Sequence, residues 1–278
     1  MTWEEAVIHF QKNASKELIE QCYFHPKPID AARSFEQSRE FKDSLALINS
    51  KKGGKLLDIG AGNGIASFAF AQNEFSVFAL EPDPSFLIGS GAIRSLNNHL
   101  KNPIQVYEEF GEQLPFEDNY FDVVYCRQVL HHARDLTQFL KEIGRVLKKG
   151  GLVLTLRDHV ISKSEDLQAF LNRHPLHKFY GGEHAFLLSD YENAFINSGL
   201  KIKSKFGPLS SNFNYFPVSE ESIKMKIRGL LKPEINIIEY YLSRFMSAQN
   251  IISKYGDIAS ERLNDPGRLY SYLLEKAE

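Results

Sequence analysis

The sequence lacks the features that would place it in a membrane or in a disulfide-rich fold. Its two cysteines, Cys22 and Cys126, lie far apart and in no metal-binding spacing, which fits a reducing compartment without a disulfide framework. No apolar run approaches the roughly 20 residues of a membrane-spanning helix. The first residues, Met-Thr-Trp-Glu-Glu-Ala-Val, contain neither the basic region nor the apolar core of a signal peptide. We therefore expect a cytoplasmic protein with no membrane partner.

An excess of basic charge is also missing. The 278 residues include 33 lysines and arginines against 35 aspartates and glutamates, so the formal net charge is −2. Because a protein that binds nucleic acid needs basic residues to neutralise phosphates, we expect no nucleic-acid partner. The hydrophobic content of 43% is ordinary for a globular protein, and the length suits one large domain or one domain with a sizeable cap.

A glycine-rich stretch at residues 54–64, Gly-Lys-Leu-Leu-Asp-Ile-Gly-Ala-Gly-Asn-Gly, organises the rest of the chain. The run Lys55–Ile59 predicts a buried strand, and the alternating glycines after it predict a tight turn into a helix from Ile65 to Ala71. Such a turn at the carboxyl end of a parallel strand is where open α/β sheets bind ligands, because glycine lets a ligand approach the backbone. Taken alone, a glycine-rich turn can also simply end a strand.

An acid follows the next predicted strand, Phe75–Leu80, which ends in Glu81 and Pro82. An acid about 20 residues after the first glycine of such a turn can accept hydrogen bonds from both ribose hydroxyls of a nucleoside. It could equally be an ordinary acid in a proline-rich turn, but together with Asp58 and the glycines it favours a nucleoside site. The dinucleotide fingerprint needs a glycine where this chain has Ile65, which argues against a nicotinamide cofactor.

Strand and helix patterns alternate as far as residue 157. Further strands are predicted at Ile104–Tyr107, Phe121–Cys126 and Leu152–Leu156, with an amphipathic helix at Leu136–Leu147 before the last of them. This alternation predicts an α/β fold with a parallel sheet and right-handed crossovers.

The two ends of the chain read mostly as helix. A helix is predicted at Pro28–Asn49 in the N-terminal part, and residues 217–264 are mostly helical. Strands are predicted on either side of that second helical region, at Leu200–Phe206 and Arg268–Leu274.

Two stretches resemble a known family. The pattern Asp-x-Gly-x-Gly-x-Gly at 58–64 resembles motif I of the class I S-adenosylmethionine-dependent methyltransferases. Leu114-Pro-Phe followed by Phe121-Asp-Val-Val resembles their type 11 subgroup. The resemblance implies a Rossmann-like sheet of parallel strands that finishes with an antiparallel pair, its sixth and seventh strands. It also implies S-adenosyl-L-methionine as cofactor and S-adenosyl-L-homocysteine as product.

The resemblance divides the chain into an N-terminal helical segment or lid at 1–50 and a methyltransferase domain at 51–278. Within that domain, residues 217–264 would be a helical insertion that caps the substrate.

The resemblance also implies which residues hold the cofactor. Family members bind the adenine amino group with an acid after the third strand, but Phe110 holds that place here. Neighbouring acids or backbone groups would then make this contact. The stretch after the fourth strand would lie beside the methionine portion. The expected cofactor residues are Asp58, Gly60, Ala61, Gly62, Gly64, Glu81, Pro82, Phe110, Gly111, Glu112, Arg127 and His131.

Substrate-binding residues are expected in the N-terminal segment and in two later loops. In proteins that resemble this one, an N-terminal segment often closes over the cofactor, although packing alone would also explain its aromatic residues. The candidates are Tyr23, Phe35, Asp158, Tyr180 and Glu183.

A base is the other group that methyl transfer can require. The reaction is an in-line displacement, so the enzyme mainly aligns the reacting atoms and excludes water. A nucleophile that carries a proton needs a base with a pKa near 7, usually histidine. The candidates are His159, His184 and His132, each of which could instead be structural.

No residues have diagnostic metal-ligand spacing, and we expect no metal. Some small-molecule O-methyltransferases use a divalent metal, however, and one set of residues offers suitable nitrogen and oxygen ligands. This set comprises His132, Asp158, His159, Glu183 and His184.

The sequence therefore predicts transfer of a methyl group from S-adenosylmethionine to an oxygen, nitrogen or carbon atom of a small molecule, by a monomer or homodimer. Two alternatives are a cofactor-binding protein that has lost or changed its activity and a metal-assisted O-methyltransferase. An NAD-dependent oxidoreductase and an RNA methyltransferase fit the motifs and the charge less well.

Overall fold

A mixed sheet of eight strands forms the centre of the protein in the computed structural model, which describes residues 3–13, 23, 25, 27–174, 177, 181–231 and 237–277. The strands are β1 (Lys55–Ile59), β2 (Ser76–Leu80), β3 (Gln105–Tyr107), β4 (Phe121–Arg127), β5 (Leu147–Ile161), β6 (Phe186–Leu187), β7 (Leu200–Phe206) and β8 (Arg268–Lys276). Their order in the sheet is β3-β2-β1-β4-β5-β8-β7, and the short β6 pairs with β5.

Twelve α-helices are present in the described residues. They are α1 (Trp3–Asn13), α2 (Pro28–Gln37), α3 (Arg39–Ile48), α4 (Ile65–Gln72), α5 (Ser90–Leu96), α6 (Leu136–Val146), α7 (Asp166–Arg173), α8 (Leu188–Asn197), α9 (Asn212–Tyr215), α10 (Glu220–Leu231), α11 (Ile237–Leu242) and α12 (Ala248–Glu261). Within the described ranges, no helix is both long and apolar enough to cross a membrane.

The strand directions confirm the predicted fold class. Strands β1 to β5 pair in parallel, whereas β8 runs antiparallel to both β5 and β7. The sheet therefore ends in the predicted antiparallel pair. The chain winds outward in opposite directions from β1 and β4, so the carboxyl ends of these two strands open a crevice between them.

Both faces of the sheet are buried, which explains the continuous apolar runs in its strands. Because successive side chains point to opposite faces, Leu56 and Val123 join one hydrophobic core and Leu57 and Val124 join the other. The first core also includes residues of α2, α3 and α4, and the second includes residues of α6 and α8.

Several predicted boundaries were wrong. The single helix expected at Pro28–Asn49 is divided at Ser38, whose backbone is extended and whose Oγ accepts a hydrogen bond from the Phe41 amide at 3.1 Å. This serine therefore caps a new helix. Strand β5 runs from Leu147 to Ile161 rather than over five residues, because it pairs with β8 as well as with β4. The two-residue strand β6 was not predicted.

The helices α9 to α12 lie between β7 and β8, where the sequence predicted a mostly helical region. Most of their buried residues form a separate hydrophobic cluster, which includes Tyr215, Ile227, Ile251 and Tyr255. This part of the chain can therefore pack around its own core, apart from the two cores of the sheet.

Candidate active site

The turn after β1 is fixed against the end of β2. The amides of Gly60 and Ala61 both donate to the carbonyl of Leu80, at 2.8 and 3.1 Å. The three glycines of the turn all have positive φ angles: +65° at Gly60, +54° at Gly62 and +78° at Gly64. Residues with a side chain rarely adopt this conformation, so the backbone itself requires glycine here.

Only one of these three glycines has room for a Cβ atom. A Cβ atom added at Gly60 would lie 2.4 Å from Val129 Cγ2, and one at Gly64 would lie 2.8 Å from Ile93 Cγ1. The nearest atom to a Cβ at Gly62 is 3.8 Å away. Gly60 and Gly64 thus allow the turn to pack against its neighbours, and Gly62 is the position where a ligand can approach the backbone.

Glu81 lies beside this open glycine. Its Oε2 atom accepts a hydrogen bond from the Gly62 amide at 2.8 Å, and its Oε1 atom accepts one from the Asp83 amide at 2.9 Å. Burial raises the pKa of Glu81 to about 7. A carboxylate can accept about four hydrogen bonds, so both oxygens keep capacity for the hydroxyl groups of a ligand.

Asp58 is buried near the end of β1, two residues before the turn begins. Its Oδ2 atom accepts a hydrogen bond from Ser67 Oγ at 2.6 Å, which ties the end of β1 to α4. Burial, together with the nearby carboxylate of Glu81, raises the pKa of Asp58 to about 7. The residue is 2% exposed, so it can shape the turn more readily than it can meet a ligand directly.

The predicted adenine region contains an exposed aromatic ring. Phe110 is 54% exposed, and the guanidinium of Arg134 lies 5.2 Å from the centre of its ring. A Cβ atom at Gly111 would lie 2.1 Å from the ring of Phe139, so this glycine is required by packing. Glu112 accepts a hydrogen bond from the Arg134 amide at 2.9 Å. Of this group, Phe110 has the surface that could stack on a base.

Arg127 forms an ion pair with a residue of the N-terminal helix α3. Its guanidinium pairs with Glu40, with Nε–Oε1 and Nη2–Oε2 distances of 2.7 and 3.2 Å, and its Nη1 atom donates to Gln128 Oε1 at 2.9 Å. Burial by itself would raise the pKa of Glu40, but the charge of Arg127 outweighs it and holds that pKa below its usual range. Sequence analysis did not identify Glu40, although it shares a helix face with the buried Ser44 and Ile48.

The N-terminal substrate candidates lie in a packed aromatic group. Phe35 is fully buried in a core of the sheet, and Tyr23 is 4% exposed. The ring of Tyr23 stacks on Phe216 at a centroid distance of 6.0 Å and meets the ring of Phe35 edge-on at 5.2 Å. Their contribution to a substrate pocket stays a prediction. Tyr180 lies outside the described residues.

Several histidines and carboxylates gather where β4 and β5 end. The Nδ1 atom of His131 lies 3.0 Å from Asp158 Oδ1, and its Nε2 atom lies 3.6 Å from Glu183 Oε2. Burial disfavours the charged imidazole, but the two carboxylates outweigh it and raise the pKa of His131 to about 9. His131 therefore carries a positive charge at neutral pH unless another cation replaces its proton.

His159 lies against His131, with 4.7 Å between ring centroids. Its Nδ1 atom lies 2.9 Å from the carbonyl oxygen of Gly267, which can only accept, so Nδ1 carries the hydrogen and Nε2 keeps its lone pair. Burial and the charge of His131 lower the pKa of His159 to about 3. The imidazole is therefore neutral, but it is a weak base.

The other two predicted bases lie at the margin of this cluster. His132 reaches solvent, and its Nδ1 atom lies 2.9 Å from the carbonyl oxygen of Gly182. His184 packs on Phe186 with 4.5 Å between ring centroids, and burial lowers its pKa. The structure thus brings together Asp158, His159 and Glu183 of the predicted metal set, and adds His131 to them.

Comparisons with known proteins agree with this geometry. Residues 57–155 match the family model described as a methyltransferase domain. Demethylmenaquinone methyltransferase of Bacillus pumilus is 31% identical over 144 residues, which cover 50% of this chain and 60% of that protein. The chain spans about half the length of the curated relatives it matches.

Solved structures show the same fold. The YcgJ protein of Bacillus subtilis superposes with a TM-score of 0.52 at 22% identity, covering 85% of this chain and 99% of that one. Phosphoethanolamine N-methyltransferase 2 of Haemonchus contortus, in complex with S-adenosyl-L-methionine, superposes with a TM-score of 0.55 at 19% identity, covering 85% of this chain and 53% of that one.

The glycine turn, the acid after β2 and the antiparallel end of the sheet define a Rossmann-like methyltransferase fold. The methyltransferase domain model matched at residues 57–155 agrees with the resemblance of the motifs to class I S-adenosylmethionine-dependent methyltransferases.

Proposed function

We propose that the protein transfers a methyl group from S-adenosylmethionine to a small-molecule nucleophile. The observation that carries this proposal is the hydrogen bond from the Gly62 amide to Glu81, which places a buried carboxylate beside the open position of the glycine turn. A net charge of −2 favours a small molecule over nucleic acid as the acceptor.

The residues at this turn fit the cofactor. Glu81 would accept hydrogen bonds from the ribose hydroxyls, Gly62 would let the ligand lie against the backbone, and Phe110 would stack on the adenine. When bound, S-adenosylmethionine supplies a methyl group on a sulfonium centre with a good neutral leaving group. The chain's own part is to align the acceptor with that methyl group and to exclude water.

The acceptor would bind at the carboxyl ends of β4 and β5, next to the histidine cluster. We assign His132 as the base for an acceptor that carries a proton. Its Nδ1 hydrogen is held by the Gly182 carbonyl, so its Nε2 atom keeps a lone pair, and the side chain reaches solvent. His131 is unsuited because it is already protonated, and His159 is unsuited because its pKa is about 3.

The test is calorimetric titration of the purified protein with S-adenosylmethionine, S-adenosylhomocysteine and NAD. We expect micromolar binding of the first two ligands and much weaker binding in Glu81→Ala and Glu81→Gln. Glu117→Gln is the matched control. Glu117 is an exposed acid that precedes the amino end of β4, whereas Glu81 follows the carboxyl end of β2. Preference for NAD, or equal binding by the Glu81 and Glu117 variants, would contradict the proposal.

A further inference from the structure

We propose that His131, His159 and Glu183 form a binding site for one divalent transition-metal cation of the Zn²⁺ type. The site would lie at the acceptor side of the proposed methyl-transfer site, and that placement rests on the proposed function. The metal site itself rests on the geometry of these three side chains.

The three donors converge from separate segments of the chain. His131 lies in the 3₁₀ turn after β4, His159 lies in β5, and Glu183 lies in the loop before β6. One ligand atom from each lies within 4.8 Å of the other two. Around a tetrahedral Zn²⁺ with bonds of about 2.1 Å, donor atoms are about 3.4 Å apart. A shift of about 1 Å, within reach of side-chain rotation, would therefore bring the three donors into coordination.

Both imidazoles are already held as metal ligands usually are. The Nδ1 atom of His131 bonds to the carboxylate of Asp158 at 3.0 Å, and that of His159 bonds to the Gly267 carbonyl at 2.9 Å. A metal-bound histidine typically donates its other N–H to a carboxylate or a backbone carbonyl, which fixes its orientation. In both residues Nδ1 is occupied by a hydrogen bond, so Nε2 is the nitrogen that can bind a metal.

The carboxylate of Glu183 has an oxygen that the described residues do not satisfy. Its Oε2 atom is buried without a hydrogen-bond partner among them, and it lies 3.6 Å from His131 Nε2, beyond hydrogen-bond distance. The Oδ2 atom of Asp158 is likewise buried without a hydrogen-bond partner among the described residues. Two buried carboxylates with unsatisfied oxygens are costly. A divalent cation between the imidazoles and Glu183 would balance their charge.

A protonated His131 between two carboxylates is the rival explanation. It accounts for the contacts of His131 with both carboxylates, but it gives His159 Nε2 no role and leaves Asp158 Oδ2 without a hydrogen-bond partner among the described residues. The ligand types also point to a metal class: two imidazoles and one carboxylate suit Zn²⁺, Co²⁺, Ni²⁺ or Fe²⁺ better than Mg²⁺ or Ca²⁺.

The three ligands leave a coordination position for water or an acceptor oxygen. Catalytic zinc sites with two histidines and one glutamate keep such a position open. His174 lies just outside the set, with its Nδ1 atom 3.8 Å from Glu183 Oε1, and its ring centroid 5.3 Å from that of His159.

The test is titration of the chelator-treated protein with Zn²⁺ by calorimetry and with Co²⁺ by visible absorption. We expect one equivalent to bind, with Co²⁺ bands typical of four or five ligands. His131→Ala, His159→Ala and Glu183→Gln should each weaken binding by at least about 100-fold, and Asp158→Asn, which alters an outer partner, by about 10-fold to 100-fold. His99→Ala is the matched control, because His99 is an exposed histidine in a 3₁₀ turn after α5.

Absence of stoichiometric binding, or binding that the three ligand variants leave unchanged, would overturn the proposal. If a variant fails to fold, X-ray absorption of the Zn²⁺-loaded wild-type protein tests the site instead. Scattering from two imidazole ligands would support the site, and absence of imidazole scattering would overturn it. S-adenosylmethionine titration of the same metal-free protein separates the two proposals. Cofactor binding without metal binding contradicts only the metal site, and the reverse contradicts only the methyl-transfer proposal.

Discussion

Arg127 and Glu40 form a two-point ion pair that joins residues 87 positions apart in the sequence. Glu40 belongs to α3 in the N-terminal segment, and Arg127 ends β4 at the crevice of the sheet. The Glu40 side chain is 1% exposed and that of Arg127 is 18% exposed, so water screens the pair weakly. This contact holds the N-terminal helices against the edge of the sheet where the ligand is proposed to bind.

Glu40→Gln should destabilise the protein by about 3–5 kcal/mol, because it leaves the charge of Arg127 without its partner in a mostly buried site. Urea denaturation at pH 7 measures this. The control is Glu220→Gln, which breaks the more exposed pair between Arg39 and Glu220 and should cost at most about 1 kcal/mol.

The pH dependence gives a second measurement of the same pair. The pKa of Glu40 lies below its ordinary value of 4.5 in the folded protein, so its stabilising effect is complete above that value. The effect is lost as the pH falls through the folded-state pKa. The stability difference between wild type and Glu40→Gln should therefore shrink below about pH 4. A difference that persists there, or equal losses in Glu40→Gln and Glu220→Gln at pH 7, would contradict the assignment.

Alanine at two glycines of the turn should have different effects. The Cβ of Gly62→Ala clashes with no neighbour but occupies the side of the turn where the ligand is proposed to lie. It should therefore weaken S-adenosylmethionine binding by at least about tenfold while costing only about 1–2 kcal/mol for its positive φ. Gly60→Ala adds a clash with Val129 and should lower the melting temperature much further. Calorimetric titration and thermal unfolding of both variants measure this. Equal melting temperatures of the two variants would contradict the close packing of Gly60 against Val129.

Cofactor affinity should fall as the pH drops below about 7. The pKa of Glu81 is about 7, and ribose hydroxyls donate to its ionised form, so the affinity should decrease by up to about tenfold per pH unit. Titrations between about pH 5.5 and 8.5 measure the slope. Glu81→Gln should bind S-adenosylmethionine weakly, and its affinity should no longer depend on pH except for any contribution from the titration of Asp58. A wild-type affinity that does not change over this range would contradict the role of Glu81.

The stability of the ligand-free protein should show the opposite trend. The folded-state pKa of Glu81 is raised above its ordinary value of 4.5, so folding favours the protonated form. The free energy of unfolding should therefore fall as the pH rises from about 4.5 to about 7, by about 3 kcal/mol from this group. Denaturation of wild type and Glu81→Gln across this range measures the effect, which should be smaller in the variant.

Phe110→Ala should weaken S-adenosylmethionine binding by roughly 5-fold to 150-fold, because stacking of a base on an aromatic ring contributes about 1–3 kcal/mol. Phe110 is 54% exposed, so the melting temperature should change little. Phe110→Trp should retain binding. Phe245→Ala, at an 86% exposed residue between α11 and α12, is the control. Unchanged affinity in Phe110→Ala would place the adenine elsewhere.

The central sheet could be predicted because its signals are local. The predicted part of each strand from β1 to β5 is a short, mostly apolar run. Periodicity and glycine spacing identify such segments without knowledge of their neighbours. The boundaries that were wrong depend on contacts. Strand β5 continues to Ile161 because β8 pairs with it, and β6 forms because Phe186 and Leu187 lie beside the end of β5.

The sequence by itself determined the strand–helix alternation of the parallel sheet, the glycine turn and the acid after β2, because the patterns that predict them lie within single β-α-β units of about 30 residues. Only the tertiary structure decided the pairing of Arg127 with Glu40 and the gathering of His131, His159 and Glu183. It also decided the protonation of the histidines, since Asp158 and Glu183 raise the pKa of His131 while burial lowers that of His159. A pKa depends on distances to charges and to solvent, which the folded chain alone fixes.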